Sequence, residues 1–570
     1  MSRRSESRPT LLDVLLGFAA LGLLLYGGWR LLEVEFRKSD LKQRLRGVEM
    51  APSDRQFLEF VEMKRSRPDQ NTDQPEDLLA GVPRGTGRTG TVTQSVFPTA
   101  QAIAEAFACG IDQLRPGLML VGGVNGNERF IAVPNPTNTV IVAGSRAGKG
   151  VSHLEPMMQT DHSSLLVCDP KATLASYLEF RERVLGHDCH LVDPMRISQK
   201  IAHPYRTGFN IMAGVDPEDT DRVIDIAGVI ADSIVKQSPR GEAHWDLASL
   251  MLLEGVAAHV MSSPIYEGKR NLGTVYDLVM NAAEDGDEDE PSTLEREMIE
   301  SEAADGFIAA SAHAHYDRHE RERSSVLSTL RRHCDWLKYR RIRELLSTDG
   351  ITPSKMLSRP TTVVVALPAS RLGQLSPLLR LLINATIDAA ELGEHRHGFQ
   401  TGKGGHPLRV VIDEAASVGH MKSVEDGASR LPGVGVTFTT VLQDLAQARS
   451  IWSDRWETFI ANSGVTVFFG NTDLTTLSHI EKRLGNTLVY TQSKSNTSFR
   501  STVQDGATGS GFSVTTHPLL SVPEIARIFG RADKQRRQLV FVAGHDPMIT
   551  ERILSYEHPQ LRGRVSREPT

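Results

Sequence analysis

Seven short runs rich in Val, Ile, Leu and Phe constrain this chain more than any other feature: residues 139–143, 164–169, 361–367, 408–413, 435–442, 464–470 and 539–543. Runs this short and this uniformly apolar have the pattern of strands buried on both faces. Helical patterns separate them, and strands alternating with helices make a parallel α/β sheet. The expectation is an α/β fold in which loops at the strand ends carry the chemistry.

The first run leads into Ala143-Gly-Ser-Arg-Ala-Gly-Lys149-Gly150, which a helical pattern follows. Glycines allow backbone N–H groups to turn toward phosphate oxygens at a helix N-terminus, and a lysine behind them meets the outer phosphates. Gly144, Ser145, Arg146, Ala147, Gly148, Lys149, Gly150 and Val151 are therefore candidate contacts for a nucleoside triphosphate such as ATP. The usual pattern is G-x-x-x-x-G-K-[ST], whereas this chain has Ala143 for the first glycine and Gly150 for the hydroxyl residue that reaches Mg2+. A plain turn ahead of a helix is the alternative reading.

Leu408-Arg-Val-Val-Ile-Asp413-Glu414 is a hydrophobic strand ending in two acids. A P-loop ATPase needs such a pair: Asp413 would hold hydrated Mg2+ and Glu414 would polarise the attacking water. A buried strand running into a polar loop is the bland alternative. Gln443 ends the following run, where an amide could touch the γ-phosphate and register its cleavage; it is otherwise a polar strand-end residue.

A chain of 570 residues is too long for one compact core, and its 40% hydrophobic and 24% charged content is that of an ordinary globular protein. A net charge of −6 argues against a surface coated in basic patches for nucleic acid but leaves room for a locally basic channel. Cys109, Cys168, Cys189 and Cys334 lack metal or disulfide spacing, which suits a reducing cytoplasm. Residues 11–29 are apolar but for Asp13, and a helix of that length spans roughly 28 Å. Arg3, Arg4 and Arg8 precede it; Arg30, Arg37, Lys38, Lys42, Arg44 and Arg46 follow it. The larger basic cluster stays inside, so a single-pass anchor in the bacterial inner (cell) membrane with its N-terminus outside is expected. No small-x-small cleavage site follows, unlike a signal peptide.

The domain reading is an anchor at 1–32, a polar stalk at 33–95, a nucleotide-binding domain split between 96–215 and 349–556, an inserted all-α domain at 216–348, and a tail at 557–570. Gly85-Thr-Gly-Arg-Thr-Gly90 formally fits G-x-G-x-x-G but lacks the flanking strand and helix, so it reads as a loop. The acidic run 284–290 reads as a solvated loop, and the Ser/Thr/Gly-rich stretch 491–516 as a mobile excursion.

These motifs together resemble the type IV secretion coupling proteins, the TraG/TraD family of conjugative ATPases, over roughly residues 90–555. The loop at 139–150 is similar to that family's phosphate loop, so Ala143 and Gly150 are family-like. Cys168-Asp169-Pro170-Lys171 looks like its D-P-K turn. Arg323-Ser-Ser-Val-Leu-Ser-Thr-Leu, Leu375-Ser-Pro-Leu-Leu-Arg-Leu-Leu-Ile-Asn, Gln443-Asp-Leu-Ala-Gln447, Ala461-Asn-Ser-Gly-Val, Phe468-Phe-Gly and His517-Pro-Leu-Leu match further segments in order.

The resemblance implies a RecA-like P-loop NTPase domain, an all-α domain at its cytoplasmic end, and a homo-hexamer that hydrolyses ATP. In such rings a neighbour completes each site with an arginine finger, for which Arg430 is the best candidate; an exposed arginine in a salt bridge is the alternative. The family usually has two membrane helices, and this chain offers one. His313, His315 and His319 do not share one helical face, which disfavours a metal site. Arg331, Arg332, Lys338, Arg340, Arg341 and Arg343 read as a solvated helix face before a phosphate-binding one. The expected partners are type IV secretion channel components with a relaxase bound to single-stranded DNA, or, alternatively, protein effectors. A non-hydrolysing scaffold is a third reading, and an FtsK-type translocase an outside one.

Overall fold

The structure, a computed structural model, describes residues 97–134, 137–236, 243–281, 292–397, 406–494 and 510–565. Its strands run in chain order β1 (Ala108–Cys109), β2 (Leu118–Val124), β3 (Arg129–Pro134), β4 (Asn138–Ala143), β5 (Ser164–Cys168), β6 (Asp188–Val192) and β7 (Thr361–Val365). There follow β8 (Leu408–Ile412), β9 (Val436–Leu442), β10 (Ser463–Phe469), β11 (Asn486–Lys494), β12 (Ser510–Pro518), β13 (Arg537–Val542) and β14 (Met548–Glu551). Every one of the seven apolar runs falls in a strand.

Twelve strands form one sheet in the order β1-β3-β2-β14-β13-β10-β4-β9-β8-β5-β7-β6. From β10 to β6 every pairing is parallel, with registers such as Thr139↔Thr439 and Leu408↔Val436. All residues of β4, β5, β7, β8 and β9 are buried, as their near-continuous Val, Ile, Leu and Thr content requires. β6 carries no apolar run in the sequence because it is the edge strand. Its Asp188 and His190 lie on a half-exposed face while Cys189 and Leu191 point inward.

The expectation of an all-parallel sheet fails at the run 539–543. It lies in β13, which pairs antiparallel with β10 through Val465↔Val542 and leads into an antiparallel extension of β14, β2, β3 and β1. Both faces of β13 are buried whichever way it runs, so its composition carries no signal of direction.

Among the described residues between β6 and β7 there are helices and no strand, including Thr220–Ile234, Ala243–Ser262, Leu272–Asn281, Phe307–Tyr316 and Glu320–Cys334. Asp219 caps the first by accepting from Arg222 N at 3.1 Å. These helices are tied to the sheet layer. Arg222 pairs with Asp388 on the helix Leu372–His397 at 2.8 Å, and Asn384 Nδ2 donates to Ser233 Oγ at 2.9 Å. One buried apolar cluster runs without a break from β4 and β8 into Ile226, Ile230 and Leu253.

Residues 491–494 and 510–516, the ends of the Ser/Thr/Gly-rich stretch, lie in the antiparallel pair β11 with β12, since Thr and Ser suit an open two-stranded ribbon as well as a loop; residues 495–509 lie outside the described residues. Within the tail, Leu561 is buried against Phe130 and Ile553, and His558 packs on Phe130 with ring centroids 4.5 Å apart. The anchor at 11–29, the stalk, Gly85–Gly90 and the acidic run 284–290 lie outside the described residues. Among the described residues no helix is long and apolar enough to cross a membrane.

Candidate active site

Because β9 is hydrogen-bonded between β4 and β8, the loops leaving the carboxyl ends of these three strands meet at one edge of the sheet. Open parallel sheets place ligands at that edge. The loop after β4 begins with Gly144, whose N donates to Phe469 O at 3.2 Å while its carbonyl accepts from Ala147 N at 3.0 Å. A Cβ on Gly144 would run into the Gly470 carbonyl oxygen, and Gly148 has φ +93°, so both glycines are required by the backbone. Ser145 and Arg146 are exposed at the crest, and Arg146 is itself left-handed with φ 57°. Ala147 packs inside against the Gly470 turn.

Lys149 opens the helical turn Gly150–Leu154, and Val151 lies half-buried on it. A Cβ on Gly150 would meet nothing within 4 Å, so the place of the missing hydroxyl residue is open space. The nearby Ser152 hydroxyl does not replace it, because it donates to Gly148 O at 2.8 Å.

Lys149 Nζ reaches across to the end of β8, 2.7 Å from Glu414 Oε1 and 3.1 Å from Asp413 Oδ1. Successive strand residues face opposite ways, so two adjacent acids do not ordinarily share a partner. Glu414 does so because it leaves the strand left-handed, with φ 57° and ψ 47°. A non-glycine residue held there carries strain on the order of 1–3 kcal/mol, a feature that clusters at functional sites. Burial disfavours the Lys149 ammonium, yet Asp413 and Glu414 outweigh it and hold its pKa above the ordinary lysine value. Burial likewise works against ionised Glu414, but Lys149, with help from Gln443 and Lys171, keeps its pKa below the usual glutamate value.

Gln443, on the loop after the intervening β9, donates from Nε2 to Glu414 Oε2 at 3.0 Å. Its own backbone is held by Gln447 Oε1, which accepts from Gln443 N at 2.9 Å, and by Asn471 Nδ2, which donates to Gln443 O at 3.3 Å. Asp169, after β5, accepts the amides of Leu174 at 2.7 Å and Ala175 at 3.2 Å and so shapes the turn bearing Lys171; burial still pushes its pKa up to about 6. Lys149, Asp413, Glu414 and Gln443 thus converge.

Arg430 is not among them: it is exposed and pairs with Glu391 at 3.0 Å. Four of the six basic residues of the helical region are engaged elsewhere. Arg331 donates to Val279 O and Met280 O, Arg343 to Leu337 O and Lys338 O, Lys338 to Asp335, and Arg340 to Glu344. His315 is buried, His313 faces Asp317, and among the described residues no cluster of three or more His, Cys, Asp and Glu is arranged to hold a metal ion.

Asn471, Arg552 and Ser555 also touch the site's framework and carried no sequence signal. Arg552 Nη1 donates to Ala147 O at 2.7 Å across 405 positions of chain, a distance no local pattern reports.

The residues fit magnesium ATP. Two carboxylates face one ammonium, an excess of negative charge that a divalent cation would neutralise, and the glycine turn leaves its backbone free of side-chain bulk.

Sheet order and loop together define a RecA-like nucleotide-binding α/β fold. The chain belongs to the type IV secretory system conjugative DNA transfer family, whose model matches residues 99–569. It is thus a coupling protein of type IV secretion. It is 22% identical over 517 residues to the conjugal transfer protein TraG of Escherichia coli, covering 87% of this chain and 80% of that protein. It is 22% identical over 493 residues to the type IV secretion system-coupling protein VirD4 of Bartonella henselae, covering 82% and 72%. Its fold is similar to that of the bacterial conjugative coupling protein TrwBdeltaN70, with TM-score 0.57 and 14% identity over 85% of this chain and 100% of that one. TrwB has also been solved in complex with ADP and Mg2+, a structure that covers 77% of this chain at TM-score 0.52 and 14% identity.

Proposed function

We propose that this chain is a membrane-anchored ATPase that delivers relaxase-bound single-stranded DNA to a type IV secretion channel during conjugation, hydrolysing ATP at the subunit interfaces of a hexameric ring. The observation that carries this reading is the meeting of Lys149 with Asp413 and Glu414 beside a loop whose Gly144 has no room for a side chain. The family and the relative TraG support conjugation, the relative VirD4 supports type IV secretion coupling, and the complex of TrwB with ADP and Mg2+ supports an adenine nucleotide with Mg2+ as the ligands. The apolar stretch 11–29 supports the anchor.

Magnesium ATP supplies the phosphoryl group and the charge that neutralises its own transfer. The loop from Gly144 to Val151 would cradle the phosphates through amides other than those of Gly144 and Ala147, which are bonded within the fold, and Lys149 would turn from its carboxylate partners to the outer phosphate. Asp413 would hold the metal. Glu414, kept ionised by its surroundings, accepts a proton from the attacking water, while Gln443 fixes the orientation of the Glu414 carboxylate. Arg430, exposed on the helix Lys422–Arg430, is presented to a neighbouring subunit.

The test is ATP hydrolysis by the full-length protein in detergent or vesicles, with and without single-stranded DNA. Turnover that rises with DNA and vanishes in Lys149→Ala is the expected result. Turnover indifferent to every nucleic acid would replace DNA by protein effectors as the cargo, and turnover indifferent to Lys149→Ala would end the ATPase reading.

A further inference from the structure

The segment after β14 closes on the phosphate loop from behind. Arg552 Nη1 donates to Ala147 O at 2.7 Å, its Nε donates to Arg536 O at 3.2 Å, and its guanidinium lies 5.1 Å from the centre of the Phe469 ring. Three residues on, Ser555 N donates to Val151 O at 3.0 Å, and the Ser555 hydroxyl donates to the Glu155 carboxylate. Both shoulders of the loop, before and after Lys149, are therefore held by one short stretch of chain. That stretch is seated in turn on the β2–β3 turn, where Asn127 Nδ2 donates to Arg552 O at 3.3 Å and His558 Nε2 lies 3.0 Å from Asn127 O.

The contact at Ala147 has a directional consequence. A trans peptide is planar, with its C=O and N–H pointing opposite ways. Fixing the Ala147 carbonyl on Arg552 therefore turns the Gly148 N–H away from Arg552. Gly148, at φ +93°, has no side chain to resist this orientation. Arg552 is buried, and among the described residues no carboxylate lies within ion-pair distance of it, so its charge is spent on backbone carbonyls and an aromatic face.

We infer that Arg552 is a positioning residue for the phosphate loop: by holding the Ala147–Gly148 peptide it presents the Gly148 amide to a phosphate of the bound nucleotide. This rests on the nucleotide reading above. The residues after the last strand then belong to the nucleotide site rather than to an appendage, acting through the loop they hold.

The experiment measures binding of a fluorescent ATP analogue and steady-state hydrolysis by full-length wild type, Arg552→Ala, Arg552→Lys and Lys149→Ala. In Arg552→Ala the dissociation constant and KM should rise about tenfold, the loss of one charge-assisted hydrogen bond, while kcat at saturation changes far less. Inorganic tripolyphosphate should compete less well by the same factor, because the lost contact acts on the phosphates. Arg552→Lys keeps the charge and one donor and should recover most of the affinity; it also decides the question should Arg552→Ala fail to fold. A lowered thermal midpoint with wild-type nucleotide and tripolyphosphate affinity in the Arg552 variants would overturn the inference, since Arg552 would then only hold β14 in place. If Lys149→Ala also bound nucleotide like wild type, the nucleotide reading itself would fall; if Lys149→Ala alone lost binding, only the inference on Arg552 would.

Discussion

Lys149 and Glu414 are 265 positions apart in the chain, yet Nζ of one stands 2.7 Å from Oε1 of the other, with Gln443 Nε2 on the second carboxylate oxygen at 3.0 Å. The Glu414 carboxylate is thereby held from both sides in one orientation. In the proposed mechanism the Gln443 contact keeps that orientation once Lys149 turns to the phosphate.

Glu414→Gln should uncouple binding from hydrolysis. The amide keeps the shape and the contact to Lys149 but cannot take a proton, so kcat should fall on the order of 10²–10³-fold while ATP affinity is retained. Single-turnover hydrolysis alongside equilibrium binding would check it; unchanged single-turnover rates would remove Glu414 from the chemistry. Gln443→Ala should give a smaller loss of the same kind, about tenfold in kcat.

Gly144→Ala should damage the loop without touching any charged group. The added methyl collides with the Gly470 carbonyl, a backbone atom that cannot swing aside, so the ends of β4 and β10 must part. Loss of ATP binding together with a fall in stability of about 1–3 kcal/mol is expected, read by thermal unfolding and nucleotide titration. Gly150→Ala, whose methyl enters open space, should leave both nearly unchanged.

Mixing two inactive variants tests the shared site. Arg430 is exposed and, among the described residues, pairs with Glu391. Lys149→Ala and Arg430→Ala should each lose turnover, and mixed rings should regain part of it, because some interfaces pair an intact loop with an intact arginine. No recovery at any mixing ratio would leave Arg430 as a surface residue.

Stability should decline on mild acidification. Burial, with Arg552 nearby, lowers the His153 pKa to about 4, and burial with Arg318 and Arg323 lowers that of His315 to about 4; both stand below the ordinary 6.5. A depressed pKa means that the unfolded chain takes up a proton which the fold refuses. Their contribution is therefore intact above about pH 6.5 and lost as the pH falls toward 4, at up to roughly 1.4 kcal/mol per pH unit for each histidine. Apparent unfolding midpoints measured from pH 7.5 to 5 should fall, and His315→Gln should flatten the slope; an unchanged slope would show that His315 takes up its proton equally in both states.

Much of this protein could be read from its residues. Each apolar run became a strand, because a segment buried on both faces must be apolar throughout, and that demand acts within a few residues. Lys149, Asp413, Glu414 and Gln443 were legible for a related reason: each ends or follows such a strand, where a parallel sheet exposes its loops. β6 was hidden because an edge strand keeps one polar face, and the β11–β12 hairpin because Thr and Ser serve ribbons and loops alike.

What the amino-acid order determined alone was therefore local: where strands lie, where glycine relieves the backbone, and which charges stand at strand ends. Only the tertiary structure decided how these meet. It inserted β9 between β4 and β8, turned Glu414 left-handed so that neighbouring acids share one ammonium, ran β13 against β10, and brought Arg552 behind Ala147. Pairing direction, strand order and contacts between distant segments depend on what the whole chain buries together, and no short stretch of residues encodes that by itself.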